Sequence, residues 1–229
     1  AFIQCVGSRD TTDAGNEYCS GVCCMYATKA AMIAKDHSEG AEITIFMIDM
    51  RAHGKGYEAY YNRAQDLGVR YVRSMVSAVR NNFDTGDLSV QYACPDGENI
   101  TEGFDMVVLS SGLECHSDAK EVAGVLGVEL DEYGFIVGGA SNPVATSKRG
   151  VTVCGTASGP KDIPDSVTEA SAAAATVGRD LSESRFDCVT KTQYPPERDV
   201  SSEEPRIGVF VCHCGNNIAG VVDVDDLVK

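Results

Sequence analysis

The fold is decided by residues 1–49, AFIQCVGSRDTTDAGNEYCSGVCCMYATKAAMIAKDHSEGAEITIFMID. Residues 1–8 predict the end of a buried strand, and a polar loop follows as far as residue 18. Residues 21–37 are rich in Ala and Met and contain no Pro, which predicts a helix. Residues 42–49 are rich in β-branched side chains, which predicts a second strand. This strand–helix–strand order predicts an α/β fold with parallel strands.

The residues that follow extend this pattern and then change it. A helix is predicted over 55–67, ended by Gly68, with a third strand over 69–73. Residues 75–102 alternate between apolar and polar side chains and predict an antiparallel β-meander, with turns at Asp84-Thr85-Gly86 and Pro95-Asp96-Gly97. Further elements are predicted as a hydrophobic central strand over 104–109, a helix over 119–126, a buried strand over 151–155, a helix over 165–181 and a strand over 207–211.

Composition narrows the class of protein. The 229 residues carry 34 acidic and 19 basic side chains, for a formal charge of −15. This excess of acid argues against a nucleic-acid-binding protein, because phosphate binding needs a concentrated basic surface. No apolar run approaches the ~20 residues that cross a bilayer. The ten cysteines are too few for a small disulfide-stabilised protein and many for an ordinary cytosolic enzyme, so their clustering is the informative feature.

Four cysteines form the pattern C-x13-C-x3-C-C, namely Cys5, Cys19, Cys23 and Cys24. Cys5 is predicted at a strand end and the other three at the start of the following helix, and these two positions meet at one edge of an α/β sheet. A helix N-terminus carries partial positive charge that stabilises thiolates. Four such ligands can hold a [4Fe–4S] cluster or a structural Zn²⁺. The adjacent Cys-Cys pair favours iron–sulfur, while zinc, buried thiols and a redox disulfide remain as alternatives.

The other cysteines carry a weaker signal. Cys212 and Cys214 follow the strand predicted over 207–211 and form half of a metal site at most. Cys94, Cys115, Cys154 and Cys188 are scattered, and buried small hydrophobic residues are the simplest interpretation of them.

The loop after the first strand lacks the G-x-G-x-x-G fingerprint of dinucleotide-binding folds. Gly7 alone lies near the expected turn, and cysteines stand where the phosphate-binding glycines would be. Tight NAD(P)H binding is therefore not expected.

Residues 146–175, TSKRGVTVCGTASGPKDIPDSVTEASAAAA, show a buried strand, a crossing loop and an Ala-rich helix, with Ser166-x-x-Glu169 at capping-box spacing. This outline resembles the last FAD-binding segment of two-dinucleotide-fold flavoproteins of the thioredoxin reductase type. There the helix N-terminus faces the flavin and stabilises its reduced form. Thr156 stands where that family has Asp, and a hydroxyl bonds a ribityl group less strongly. An ordinary strand–loop–helix is the alternative.

Taken together, FIQCVGSRD, YCSGVCCMYATKAAM, IDMRAHGKGYE, FDMVVLSSGLE and GPKDIPDSVTEASAAAA resemble the heterodisulfide reductase A-subunit family, of which the chain would be a fragment. IGVFVCHCGNNIAGVVDV resembles the N-terminal opening of the same family. The resemblance implies a two-dinucleotide-binding-domain flavoprotein of the α/β class, with a parallel sheet and an antiparallel β-meander. It implies FAD and a [4Fe–4S] cluster as cofactors, and electron transfer between them that can split two-electron into one-electron transfers.

The resemblance also assigns residues. Cys5, Cys19, Cys23 and Cys24 would hold the cluster, Cys212 and Cys214 would be part of a second cluster site, and Lys29 would approach the flavin N5 region. A solvated Lys29 is the simpler interpretation of the sequence alone. The residues expected to contact FAD are Gly155, Thr156, Gly159, Pro160, Lys161, Asp162, Ile163, Asp165 and Ser166.

The implied organisation has four parts. Residues 1–115 would be an NAD(P)-binding-like α/β domain with the iron–sulfur motif, and residues 116–186 the C-terminal part of an FAD-binding domain. Residues 187–205 would be a linker, and residues 206–229 the start of a following module. A cytoplasmic complex is expected, with hydrogenase, formate-type or disulfide-reducing subunits as partners. The competing hypotheses are an NAD(P)H-dependent disulfide reductase, which lacks its glycine fingerprint and C-x-x-C pair, and a non-enzymatic zinc-binding module.

Overall fold

The computed structural model describes residues 1–82, 86–94 and 96–229, and it divides into two units, Ala1–Arg185 and Phe186–Lys229. Each predicted turn of the meander includes residues outside this range, Asp84 and Thr85 in the first and Pro95 in the second. Within the described residues, no helix is both long enough and apolar enough to cross a membrane.

A four-stranded parallel sheet organises the first unit. Its strands are β1 (Phe2–Val6), β2 (Thr44–Met47), β3 (Arg70–Arg73) and β7 (Val108–Ser111), and their order is β3-β2-β1-β7. All four residues of β2 are buried, as expected for a strand covered on both faces. The strand predicted over 104–109 starts later than predicted and is not central in the sheet. Phe104 ends a meander strand, and β7 begins at Val108 and lies at the edge of the described sheet.

Helices α1 (Cys23–His37) and α2 (Tyr57–Asp66) cover one face of this sheet. The buried residues of α1 recur every four positions, which places them along one stripe of the helix: Cys23, Ala27 and Ala31, with Cys24, Thr28 and Met32 beside them. Gly68 follows α2 with φ +81°, which confirms the predicted glycine stop.

The antiparallel meander covers the other face of the sheet. It consists of β4 (Val76–Asn81), β5 (Leu88–Ala93) and β6 (Asn99–Phe104), paired in that order. Phe46 of the parallel sheet is fully buried against Val90 and Tyr92 of β5. The predicted α/β fold with a parallel sheet and an antiparallel β-meander is thus confirmed.

The remainder of the first unit contains α3 (Ala119–Leu126), a 3-10 turn (Gly155–Ser158) and α4 (Ile163–Asp180). The strand predicted over 151–155 is wrong, because an extended segment becomes a strand only beside a ladder partner. In the described chain its only pairing is the isolated bridge between Ala145 and Thr152. The predicted capping box is also wrong, since Asp162 caps α4 and Glu169 has other partners.

The second unit is described by itself. It contains a π-helical turn (Gly215–Ala219) and α5 (Val224–Leu227). The strand predicted over 207–211 is wrong, because these residues have no ladder partner within the described chain. Ile207 and Phe210 are almost fully exposed.

Candidate functional site

The four cysteines of the motif lie at one corner of the first unit, where β1 ends and α1 begins. Cys23 and Cys24 are the first two residues of α1 and are buried, whereas Cys5 and Cys19 are half-buried. Cys19 precedes the helix instead of lying on its first turn. Cys5 has φ +60°, an uncommon conformation for a non-glycine residue. We call this group the cysteine corner: Cys5, Cys19, Cys23 and Cys24.

The thiols of the cysteine corner are close enough to affect one another electrostatically. Burial raises the pKa of Cys24 to about 11, and the neighbouring thiols of Cys23, Cys5 and Cys19 add to the rise. Burial also raises the pKa of Cys23, while backbone N–H groups, including that of Cys5, oppose the rise. The N–H of Gly21 donates to Cys19 Sγ over 3.4 Å. Amides that donate to sulfur stabilise thiolates, which suits a metal-ligand role.

Two side chains of the segment that contains Cys5, and one on β7, carry polar atoms without a hydrogen-bond partner in the described part of the chain. Gln4 Nε2 and Oε1, Ser8 Oγ and Ser110 Oγ are buried and make no hydrogen bond within the described residues. Gln4 and Ser8 belong to the same chain segment as Cys5. Buried polar groups are normally paired, so further hydrogen-bonding groups fit here. Together with four thiols, these orphaned atoms fit a polar, anionic inorganic cluster.

The structure does not present the corner as a finished metal site. In the part of the chain that is described, no group of three or more His, Cys, Asp or Glu side chains is arranged to hold a metal ion. Every cysteine is a free thiol. The assignment of Cys5, Cys19, Cys23 and Cys24 as ligands stays a prediction.

A cavity of about 780 Å³ adjoins the corner and is bounded by the starts of three helices. This volume lies within the usual range for small-molecule and cofactor sites. From α1 and the loop before it come Gly21, Val22, Met25 and Lys29, so the residues between and after the cysteines form its wall. We call it the three-helix cavity; its other lining residues are Tyr26, Lys55, Gly56, Tyr57, Tyr60, Leu113, Thr156, Lys161, Asp162, Ile163, Pro164 and Ser166.

One polar contact holds the α4 side of this cavity to the α2 side. Asp162 caps α4 by accepting the N–H of Asp165 over 2.9 Å, and the Tyr57 hydroxyl donates to Asp162 Oδ2 over 2.6 Å. The Tyr57 hydrogen bond, helped by the Asp165 amide, lowers the pKa of Asp162. Asp162 is therefore a carboxylate at neutral pH and fixes the N-terminus of α4 against α2.

Lys161 and Glu169 anchor the loop that enters α4. Lys161 Nζ lies 2.7 Å from both carboxylate oxygens of Glu169, and the N–H of Gly155 donates to Glu169 Oε2 over 2.8 Å. Burial alone would raise the pKa of Glu169, but Lys161 and Gly155 outweigh it, so the pKa lies below its ordinary value of 4.5. Gly155 has φ +67°, which favours glycine at this turn.

The structure brings part of the predicted flavin set together. Thr156, Lys161, Asp162, Ile163 and Ser166 line the three-helix cavity with Lys29, whereas Gly155, Gly159, Pro160 and Asp165 support the same turn from outside the lining. Lys29 is exposed at the cavity wall. Their roles toward FAD stay predictions. In the second unit Cys212 and Cys214 are exposed, and their role as ligands also stays a prediction.

Sequence reasoning missed four site residues: Arg9, Asp49, Tyr57 and Glu169. Tyr57 lies at helical spacing with Tyr60 and Tyr61, a pattern typical of packing residues, yet its hydroxyl bonds Asp162. Arg9 and Asp49 form a bidentate ion pair beside Cys5. The position of Asp49 just after β2 is the one signal that could have found any of them, since strand ends carry ligand-binding residues in α/β folds.

The strand order β3-β2-β1-β7, with an α1 crossover after β1, places the first unit in the dinucleotide-binding class of α/β folds. Comparison with known sequences then gives the family. The A-subunit of the H2/formate:CoB-CoM heterodisulfide,ferredoxin reductase of Methanococcus maripaludis is 44% identical over 189 residues, which are 81% of this chain and 29% of that relative. The iron-sulfur A-subunit of the CoB–CoM heterodisulfide reductase of Methanocaldococcus jannaschii is 41% identical over the same shares.

The matched residues therefore belong to the heterodisulfide reductase A-subunit family. The chain spans less than a third of the length of these relatives. No protein-family model matches it.

Solved structures resemble the chain at much lower sequence identity. The sulfide:quinone oxidoreductase of Aquifex aeolicus gives a TM-score of 0.47 at 8% identity, covering 72% of this chain and 41% of that one. Thioredoxin reductase from Streptococcus pyogenes gives a TM-score of 0.37 at 17% identity, covering 80% of this chain and 52% of that one. The family assignment rests on the sequence relatives.

The first prediction concerns thiol reactivity in the metal-free, reduced chain. Cys188, Cys212 and Cys214 are exposed and are expected to react first with iodoacetamide. Cys24 is expected to react slowest, because it is buried and its pKa is raised to about 11. Mass spectrometry of peptides after timed labelling measures the order. In urea the ten rates should converge; labelling of Cys24 as fast as Cys188 in the folded chain would contradict the buried corner.

The second prediction concerns the Lys161–Glu169 anchor. Glu169→Gln is expected to lower the free energy of unfolding at pH 7 by about 1–3 kcal/mol, because Lys161 loses its charged partner. The folded-state pKa of Glu169 is lowered, so its stabilisation is complete above the ordinary value of 4.5 and is lost as the pH falls through the folded-state pKa.

Urea unfolding at pH 7 and at acid pH measures both effects, and the difference between parent and variant should shrink in acid. The matched control is Asp180→Asn, which removes an exposed pair with Arg179 at the end of the same helix and should change stability by less than about 0.5 kcal/mol. Equal stability of Glu169→Gln and parent at pH 7 would show that the anchor does not stabilise the loop.

Proposed function

We propose that the chain is an electron-transfer segment of a heterodisulfide reductase-type oxidoreductase, with a [4Fe–4S] cluster on the cysteine corner and FAD in the three-helix cavity. One observation carries the proposal. Gly21, Val22 and Met25 line the cavity and belong to the same short segment as Cys19, Cys23 and Cys24. A cluster and a flavin bound at these two places would be separated by little more than the first turn of α1.

The chain's own groups suit a cluster of negative charge. Backbone N–H groups of Cys5, Val22 and Cys23 act on the Cys23 sulfur, and the Gly21 N–H donates to Cys19. These donors, with the positive end of the helix dipole, stabilise anionic sulfur without any large rearrangement. The N-terminus of α1 would therefore hold the thiolate ligands and offset their charge.

The cavity suits a flavin for a related reason. Met25, Tyr60 and Ile163 give it apolar walls, while Lys29 and Lys55 bring positive charge to its edge. The N-terminus of α4 also faces this space, fixed by Asp162. Positive charge at these positions would stabilise a flavin that gains negative charge on reduction. When bound, FAD supplies two-electron chemistry and the cluster one-electron chemistry.

Partners and location follow from the family. The relatives are named as subunits of heterodisulfide reductases, and one name includes H2/formate and ferredoxin. We infer that the protein containing this chain assembles with further subunits of such a complex, of hydrogenase, formate-type or disulfide-reducing kind, in the cytoplasm. We also infer that Cys212 and Cys214 contribute to a second cluster in a module that follows the linker at residues 187–205.

The third prediction tests the cluster. Anaerobic reconstitution of the purified chain with iron and sulfide is expected to give about four irons per chain and, after reduction, the EPR signal of a cubane. Substitution of Cys5, Cys19, Cys23 or Cys24 by Ser should remove most of this iron. The matched controls are Cys94→Ser and Cys154→Ser, which change half-buried cysteines outside the corner. Uptake of zinc without a cubane would overturn the proposal in favour of a structural zinc site.

The fourth prediction tests the flavin. Lys29→Gln is expected to weaken FAD binding by about 3–10-fold, since one positive charge at the cavity edge contributes about 1 kcal/mol toward an anionic ligand. Titration of the reconstituted chain with FAD, followed by the flavin absorbance, gives the dissociation constant. Lys120→Gln on α3 is the control, because Lys120 lies outside the cavity lining. If Lys29→Gln binds FAD with the affinity of the parent, Lys29 does not contribute to the flavin site.

A further inference from the structure

Arg9 has an uncommon setting in the loop after β1. Its backbone φ is +56°, which non-glycine residues rarely adopt, and its side chain is only 17% exposed. The guanidinium makes two parallel hydrogen bonds to Asp49, Nη1 to Oδ1 over 2.6 Å and Nη2 to Oδ2 over 3.0 Å. A bidentate pair of this kind fixes the position of the guanidinium.

Asp49 holds the Arg9 side chain near Cys5. Arg9 follows Cys5 by four residues, in the loop that leaves β1. Arg9 and Cys5 also line the same cavity of about 630 Å³ at the carboxyl ends of β1 and β2. A permanent cation is thus held at one member of the cysteine corner.

We propose that Arg9, oriented by Asp49, sets the reduction potential of the cluster through its charge at the cavity that it lines together with the Cys5 ligand. The inference rests on the proposed function. Reduction adds one electron to the cluster and makes it more negative. A cation fixed near a ligand sulfur lowers the energy of the more negative state, most effectively where solvent screening is weak. Arg9 therefore raises the reduction potential of the cluster, and it does so by acting on the Cys5 ligand.

Arg51 provides the matched control. Its Nε bonds the same Asp49 oxygen over 3.2 Å, but its side chain is 41% exposed and more strongly screened by solvent. The backbone N–H of Arg51 acts on the Cys24 sulfur, and replacing the side chain leaves this group in place. Loss of the Arg51 side chain removes the same charge from the same carboxylate without removing Arg9.

The fifth prediction is an EPR-monitored redox titration of reconstituted parent, Arg9→Gln, Arg9→Met, Arg9→Lys and Arg51→Gln, with dithionite as the electron donor. At equal iron content, Arg9→Gln and Arg9→Met should titrate at a more negative potential than the parent. Arg9→Lys should stay nearer to the parent, and Arg51→Gln should shift least. Loss of the cluster in both neutral variants, but not in Arg9→Lys, would also support the need for a cation at Cys5.

If Arg9→Gln or Arg9→Met retains its iron and the cluster titrates at the parental reduction potential, the role of Arg9 is overturned while the proposed function stands. A shift of the potential in Arg51→Gln as large as that in Arg9→Gln would have the same consequence. A parent chain that takes up no cubane would overturn the inference together with the proposed function. The two failures are therefore distinguishable by iron content before any potential is measured.

Discussion

The close contact between α1 and β1 is the constraint on which the rest of the first unit depends. Ala27 and Ala31 have no exposed surface, and their small side chains let the helix approach the sheet closely. Cys23 and Cys24 continue the same buried stripe at the N-terminus of the helix. Because the stripe is held against the sheet, the helix start is held beside the end of β1, and the cysteine corner exists for that reason.

The same helix also connects the two candidate cofactor sites. One turn of α1 supplies thiols to the corner, and neighbouring positions on it supply Met25 and Lys29 to the three-helix cavity. The other walls of the cavity come from α2 and α4, which Tyr57 and Asp162 hold together. A change in the position of α1 would therefore affect both candidate sites at once.

The charges of the site are placed against a strongly acidic background. The chain has a formal charge of −15, so any anionic ligand at these sites needs local positive charge. Helix N-termini supply part of it at both sites. Arg9 supplies a fixed cation at Cys5, and Lys29 and Lys55 supply cations at the cavity edge. Local arrangement, and not net charge, therefore decides what these sites can bind.

The sequence by itself determined the class of fold, because periodicity is local: the apolar segments at 1–8 and 42–49, the Ala-rich helix at 21–37 and the alternation at 75–102 each specify an element without reference to the rest of the chain. It also identified the C-x13-C-x3-C-C motif. The strands predicted at 151–155 and 207–211 did not form, since a strand needs a partner that no local pattern specifies. Only the tertiary structure placed Arg9 on Asp49, Tyr57 on Asp162 and Lys161 on Glu169. The first two pairs join residues 40 and 105 positions apart, and such contacts arise from the packing of the elements.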